Sequence, residues 1–428
     1  MIVQNKIRPG AYIDFESIEQ NGFKVGSRGI VTFPLITEWG MDEELTTITY
    51  DDLISGLFKN KFGNTDTLLL ELALLGCDKV LLYSINKGNK ASITLDGILT
   101  VTAKYSGEYG NKIAVGIKNK TFITYLNGEI KEEQKINTYE EIKDNEYLTF
   151  EIVTGEDGTE EVQDSAYTFL SGGTKTVTTI DYDRYLNKIK TKTWNTLAVI
   201  DKTNNDKAQA FVQNMRDKER IKVQCVMVDD NANNEGIIKL IDQSVKYKDI
   251  TITSDKLTVF VAGITAGANI TESNTGRITP FTEIIDEMTN TEIEDGIKRG
   301  YFLLTYRADK NVKCEYDINS FTSFTPSKGK DFSKNKIIRT IDEIGNTIKT
   351  IFENNYSGKI SNSQHGRDLF KTALITYFNS LFELEAIDEF NPSDITVSAG
   401  EDKDSIVVKV NIKPVDAVEK LYMLVTLR

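Results

Sequence analysis

Between Thr196 and Ala262 five segments follow one another: TLAVI (196–200), DKAQAFVQNMRDKE (206–219), VQCVMV (223–228), EGIIKLIDQSVKY (235–247) and LTVFVA (257–262). The first, third and fifth are short apolar runs rich in β-branched residues, the pattern of buried strands. The second and fourth have the length and spacing of helices, and a further helix is expected from Asp181, which serves as its N-cap. Strands alternating with helices of this length predict a largely parallel sheet covered on both faces. Working outward, Leu68–Leu75 reads as a buried helix and Val80–Ile85 as a core strand. Strand-like pieces at Tyr301–Tyr306 and Val312–Ile318 close this α/β part. It is therefore expected to be discontinuous, spanning residues 21–86 and 177–330.

The character changes over residues 87–176. Short β-like runs (Ser92–Leu95, Ile113–Lys118, Phe122–Leu126, Tyr147–Val153) alternate with turn residues such as Asn127-Gly128 and Asp157-Gly158. Between Gly128 and Glu161 there are 12 acidic and 3 basic residues, a net of −9 within a chain whose total is −13. Charge at that density belongs on a solvated surface, so residues 87–176 are expected to form a protruding β-rich insert. Residues 331–420 read as a separate α+β domain. Ile337, Ile341, Ile344, Ile348 and Ile351 recur at helical spacing, and Leu369, Phe370, Ala373, Leu374, Tyr377 and Leu381 mark a second amphipathic helix. A strand follows at Ile406–Ile412, with Val408, Val410 and Ile412 on one face.

Both ends of the sequence read as extended arms. In residues 1–20, Pro9 and Gly10 disfavour a helix start, and Ala11, Ile13 and Phe15 alternate with Tyr12, Asp14 and Glu16. In residues 421–428, Leu421, Tyr422, Leu424 and Leu427 belong to a nearly all-apolar β segment. Terminal residues are ordinarily polar and frayed. An apolar strand at such a position must find a sheet, in its own domain or in a neighbour's.

Composition removes several classes of function. The 428 residues contain 51 Lys+Arg against 64 Asp+Glu. An acidic chain without basic clusters is a poor grip for nucleic acid or anionic lipid. No apolar run approaches the ~20 residues of a membrane span, so direct membrane insertion is not expected. The first residues lack the apolar core of a signal peptide, which implies synthesis in a cytoplasm. There is one histidine, His365, in a polar loop before a helix, and no GxSxG elbow accompanies it. The three cysteines (Cys77, Cys225, Cys314) are far apart in apolar settings and read as buried thiols. Gly263-x-x-x-Gly267 after the expected strand lacks dinucleotide-binding spacing, no P-loop occurs, and the pair reads as a βα turn. Carboxylate pairs such as Asp229-Asp230, Glu43-Glu44 and Glu160-Glu161 carry no information in so acidic a chain. No catalytic, cofactor or metal residues are expected.

The order of segments resembles the contractile phage tail sheath proteins, in particular those of phage-like elements and R-type bacteriocins of the Bacillus–Clostridium type. The resemblance rests on Lys6–Ile13 (KIRPGAYI), Gly29–Leu35 followed by Glu38-Trp39-Gly40, and Ala103–Asn111 (AKYSGEYGN). It continues with Leu170–Thr174 (LSGGT) and Asp181-Tyr182, where Lys175-Thr176 replace the usual Asp and Gly. Val261–Gly267 (VAGITAG), Asp317–Ser320, Asn335–Arg339, Gly366-Arg367 and Pro414–Tyr422 complete it. It spans essentially the whole sequence.

The resemblance implies a fold of mixed α/β and α+β domains: a subtilisin-like α/β core without a catalytic triad, a β-rich inserted outer domain, and an α+β C-terminal domain with exchanged terminal β-arms. The expected exchange-arm residues are Ala11, Ile13 and Phe15 near one end, and Val408, Val410, Ile412, Leu421, Tyr422, Leu424 and Leu427 towards the other. It implies a structural, non-enzymatic subunit that polymerises as stacked rings around an inner tail tube. Its partners would be copies of itself, the tube protein, and baseplate and tail terminator proteins. The assembly would form in a bacterial cytoplasm and leave it as part of a phage or phage-like particle. Two other readings stand beside this one: a non-contractile β-rich surface or adhesin-type assembly protein, suggested by the acidic insert, and a degenerate hydrolase, suggested by the α/β core.

Overall fold

The structure, a computed structural model, describes residues 28–153, 156–175, 181–306 and 310–426. The expected arm residues Ala11, Ile13 and Phe15, and Leu427 in the last segment, lie outside the described residues. The described chain divides into two compact units, residues 28–342 with 416–426 and residues 343–415.

The larger unit is organised by a seven-stranded sheet in the order Tyr301–Phe302, Ile237–Leu240, Gln224–Val228, Thr196–Ala198, Ile30–Ile36, Lys79–Ile85, Glu44–Thr49. All neighbours pair parallel except the last, an antiparallel edge strand. Alternation along the strands sends side chains to two cores. Val31, Phe33, Val80, Leu82, Val226 and Leu240 join the helices Leu68–Leu74 and Ser254–Gly267. Tyr83, Leu197, Val199, Cys225 and Met227 face the helices Tyr182–Ile189 and Asn205–Asp217. The parallel sheet covered on both faces is thus present, and Asp181 caps its helix by accepting from the Arg184 N–H.

Two segments of that stretch differ from expectation, and each is a correction. Glu235–Tyr247 is not a helix. It forms the strand Ile237–Leu240 in the main sheet and the strand Val245–Tyr247, which turns at Lys248 (φ 55°) into Ile250–Ile252. Its apolar residues are buried on both sides of the sheet, so their spacing satisfies a helical period as well as a strand. Leu257–Ala262 is not a strand but the middle of the helix Ser254–Gly267, whose residues Leu257–Ala266 are all buried. A helix buried all round has no polar face, and its apolar run looks like that of a core strand.

This second correction changes the meaning of Gly263 and Gly267, which are helix residues, Gly267 the last of them, rather than a βα turn. A Cβ at Gly263 would meet the Ala73 carbonyl, one at Gly267 the Gly76 carbonyl, and one at Gly76 would stand 2.5 Å from the Ile264 nitrogen. The spacing of four places both glycines on one face, and the missing side chains let the helix lie directly on the end of Leu68–Leu74.

The insert is two antiparallel sheets, Lys90–Leu95/Leu99–Ser106/Leu148–Ile152 and Ser165–Phe169/Ile113–Lys118/Thr121–Leu126/Glu129–Lys135, closed over a shared core. Trp39, from the core's own sequence, is 1% exposed within that core and stacks edge-on to Tyr105 with centroids 5.2 Å apart.

The smaller unit contains the helix Gln364–Glu383, the hairpin Ile395–Ala399/Ile406–Val410 and the short pair Ile387–Asp388/Lys413–Pro414. Phe370, Leu374, Tyr377, Phe378 and Leu381 form the buried face of the helix. The chain passes between units inside the helix Asn335–Ile351 and again at Val415/Asp416.

Candidate assembly surface

Open α/β sheets bind ligands beyond the carboxyl ends of their strands. Here that edge carries Asp201, Asp242 and Ser254. Ser254 Oγ donates to Asp242 at 2.5 Å and Lys202 pairs with the same carboxylate at 3.0 Å. His365 is exposed in the first turn of the helix Gln364–Glu383, capped by Ser363, which accepts from the Gly366 N–H. The three cysteines are buried, and burial pushes the Cys77 thiol up to about 12 and those of Cys225 and Cys314 upward as well. Among the described residues no cluster of His, Cys, Asp and Glu could hold a metal ion, and no helix is long and apolar enough to cross a membrane.

The unusual surface is the last described stretch. Leu421, Tyr422, Met423, Leu424 and Val425 are 83%, 87%, 75%, 92% and 66% exposed. They carry no strand pairing among the described residues. Burying one such side chain is worth about 1.5–3 kcal/mol, so five in a row in water are a large unsatisfied demand for a partner. Contiguous exposed apolar surface of this kind marks an interaction site.

Immediately before it, the chain is fixed to the larger unit. The Glu419 carboxylate, with its side chain 7% exposed, accepts from Ser273 Oγ at 2.9 Å and Thr275 Oγ1 at 2.6 Å, and forms an ion pair with the equally buried Lys334. Asp416 approaches the same ammonium at 3.6 Å, which also sits 4.1 Å from the Tyr316 ring centroid. Burial works against the Lys334 charge, but the Glu419 carboxylate outweighs it and holds the ammonium above its usual range. Behind this pair lies Asp317, fully buried, which accepts from Asn274 N, Asn335 Nδ2 and Arg339 Nη2, each at 2.9 Å. Burial again opposes the charge, and Arg339 with the other donors holds the carboxyl below its ordinary 3.8. Thr275 Oγ1 accepts from the Asp317 N–H, joining the two groups into one polar network. A buried bidentate pair, Arg216 with Asp342 at 2.6 and 2.8 Å, fixes the next turn of the same helix.

The residues expected in arms therefore fall in different places. Leu421, Tyr422 and Leu424 are exposed and unpaired, whereas Val408 and Val410 lie in an in-chain hairpin, opposite Val397 and Ile395, and half-buried Ile412 follows it. Sequence reasoning missed Lys334, Glu419 and Trp39. The segment holding Glu419 was singled out, but a lone acid between Val418 and Lys420 gives no sign of a partner 85 residues away.

Comparison with known proteins bears directly on this arrangement. The phage tail sheath family matches in three parts: its beta-sandwich domain over residues 86–181, its central domain over 175–320 and its C-terminal domain over 327–428. The chain is 33% identical to a sheath tail protein from Desulfitobacterium hafniense, whose crystal structure it matches with a TM-score of 0.80 over 97% of this chain and 99% of that one. It is 30% identical to the phage-like element PBSX protein XkdK of Bacillus subtilis, over 98% of this chain and 97% of the relative. The contracted helical sheath of the anti-feeding prophage shares the fold, with a TM-score of 0.57 at 11% identity and 98% of each chain covered. The chain belongs to the phage tail sheath family and is a structural subunit of a contractile tail.

Proposed function

We propose that this chain polymerises as stacked rings around an inner tail tube and contracts by rigid-body rearrangement, the rings staying connected through terminal strands donated to neighbouring copies. The observation that carries the proposal is the exposed apolar run Leu421–Val425, which has no strand partner among the described residues. Strand addition to a neighbour's sheet satisfies both its backbone and its side chains, and backbone ladders persist while whole subunits rotate. The open hairpin strand bearing Val408 and Val410 is the acceptor that best suits such a strand.

In this reading the arms are residues 1–20 and 421–428, the subtilisin-like core is 21–86 with 177–330, the outer insert is 87–176 and the C-terminal domain is 331–420. The tube protein, baseplate and terminator are the other partners, and assembly takes place in a bacterial cytoplasm. The free energy of contraction is stored in subunit packing, with no enzymatic step. Deletion of Leu421–Arg428 tests the proposal. The truncated protein is expected to stay folded and monomeric and to form no striated tubes in negative-stain micrographs. Leu424→Asp should behave alike, because an unpaired charge in a buried strand costs several kcal/mol. Normal tubes from the truncated protein would refute strand exchange.

A further inference from the structure

Within an exposed last stretch, where Val418 is 98% exposed, one side chain is buried. Glu419 is 7% exposed at its side chain and receives two hydroxyl donors and an ammonium, whereas Leu421 is 83% exposed and unpaired. Between them, Lys420 places its ammonium 5.5 Å from the centroid of the Tyr316 ring that Lys334 also covers. Burying a carboxylate is costly, and removing one member of a buried pair is far worse than never having had it. A surface segment that only needed to lie against the core could do so with apolar or neutral residues. Here an ion pair holds one point of the chain while Leu421–Val425 beyond it stay exposed.

We propose that Glu419 is the positioning residue of the C-terminal arm: its pair with Lys334, seated by Ser273 and Thr275, clamps the arm's root to its own subunit. This inference rests on the strand-exchange reading and adds the point where the arm takes up load. Lys334 directly precedes the helix Asn335–Ile351, whose Asn335 and Arg339 are bound to the buried Asp317, which Thr275 contacts in turn. A pull on the arm from a neighbouring copy therefore passes through Glu419 into the buried network around Asp317 in the larger unit. Without the clamp the same pull would peel residues 416–420 from the core and lengthen the tether between rings. The chemistry suits the task, because a hydrogen-bonded ion pair resists displacement in every direction, whereas an apolar contact can slide.

The test uses the full-length protein with Glu419→Gln, Lys334→Met and the charge swap Lys334→Glu with Glu419→Lys. In the unassembled protein, amide hydrogen exchange over residues 416–420 should accelerate about tenfold or more in both single variants, with the core strands unchanged. The swap should recover part of that protection. In assembled sheaths, the single variants should still donate Leu421–Arg428, so tubes form, but contracted tubes should break into shorter pieces than the unaltered protein gives. Unchanged exchange at 416–420, or contracted tubes of full length from Glu419→Gln, would overturn the clamp while leaving strand exchange intact. Normal tubes after deletion of Leu421–Arg428 would instead remove the reading beneath it. If Lys334→Met unfolds, Ser273→Ala, which removes one neutral donor to Glu419, should give the same acceleration in weaker form.

Discussion

Gly263→Ala sets two physical effects of opposite sign against each other. In a helix interior, alanine is favoured over glycine by about 1 kcal/mol, so local propensity predicts a more stable protein. Gly263 lies in the helix Ser254–Gly267, however, with the Ala73 carbonyl where the new Cβ would go. A backbone carbonyl cannot swing aside as a long side chain can. The helix must move off Leu68–Leu74, opening a core that includes Leu70, Val259 and Ile264, all at 0% exposure. Overpacking of this kind typically costs about 1–3 kcal/mol and sometimes more. The net expectation is a loss of up to about 2 kcal/mol for Gly263→Ala, and more for Gly267→Ala, whose Cβ would face the Gly76 carbonyl. For a unit of this size that corresponds to a fall of up to about 8 °C in the melting midpoint. Gly76→Ala strains the same contact from the other side, so Gly76→Ala with Gly267→Ala should cost less than the sum of the single effects. Gly329→Ala is the control: its φ is −75° and nothing lies within 4 Å of the added methyl. Denaturant and thermal midpoints of the unassembled protein provide the measurement. A rise of about 1 kcal/mol for Gly263→Ala would show that propensity prevails and that the close helix packing carries no weight.

Three further outcomes follow from the geometry. Replacing residues 87–176 by a short Gly/Ser bridge strips Tyr105 and Tyr109 from Trp39; the shortened chain should aggregate with Trp39 retained, but with Trp39→Ser should fold and build sheaths of smaller outer diameter. If that second protein is folded and monodisperse in gel filtration yet forms no rings, the insert belongs to the lattice. Asp317 has a carboxyl pKa below its ordinary 3.8, so its contribution is complete above that value and lost as the pH falls below it. Asp317→Asn should therefore lower stability at pH 7 and flatten the acid limb of the stability curve, and an unchanged limb in acid titration followed by circular dichroism would contradict this. His365→Ala, at an exposed position, should change stability by no more than about 0.5 kcal/mol and leave assembly intact.

Residues with one clear periodicity declare their structure without the fold. Thr196–Ala198, Gln224–Val228 and Lys79–Ile85 lie where short apolar runs place buried strands, and the helix Gln364–Glu383 lies where helical spacing places it. Each presents distinguishable faces or sits between clear turn signals. The insert declared itself through its turn residues and its charge, because solvated β-hairpins need both.

Tertiary structure decided whatever depended on distant partners. The helix Ser254–Gly267 is enclosed on every side, and enclosure erases the polar face that would have revealed its period. Glu235–Tyr247 became strands because its apolar residues had a parallel neighbour on one edge and a hairpin partner further along. Trp39 entered the insert's core from outside the insert's own sequence. Glu419 found Ser273 146 residues away. An isolated carboxylate in a sequence looks like solvated charge, and only a folded core that brings an ammonium and two hydroxyls to it can turn it into a clamp.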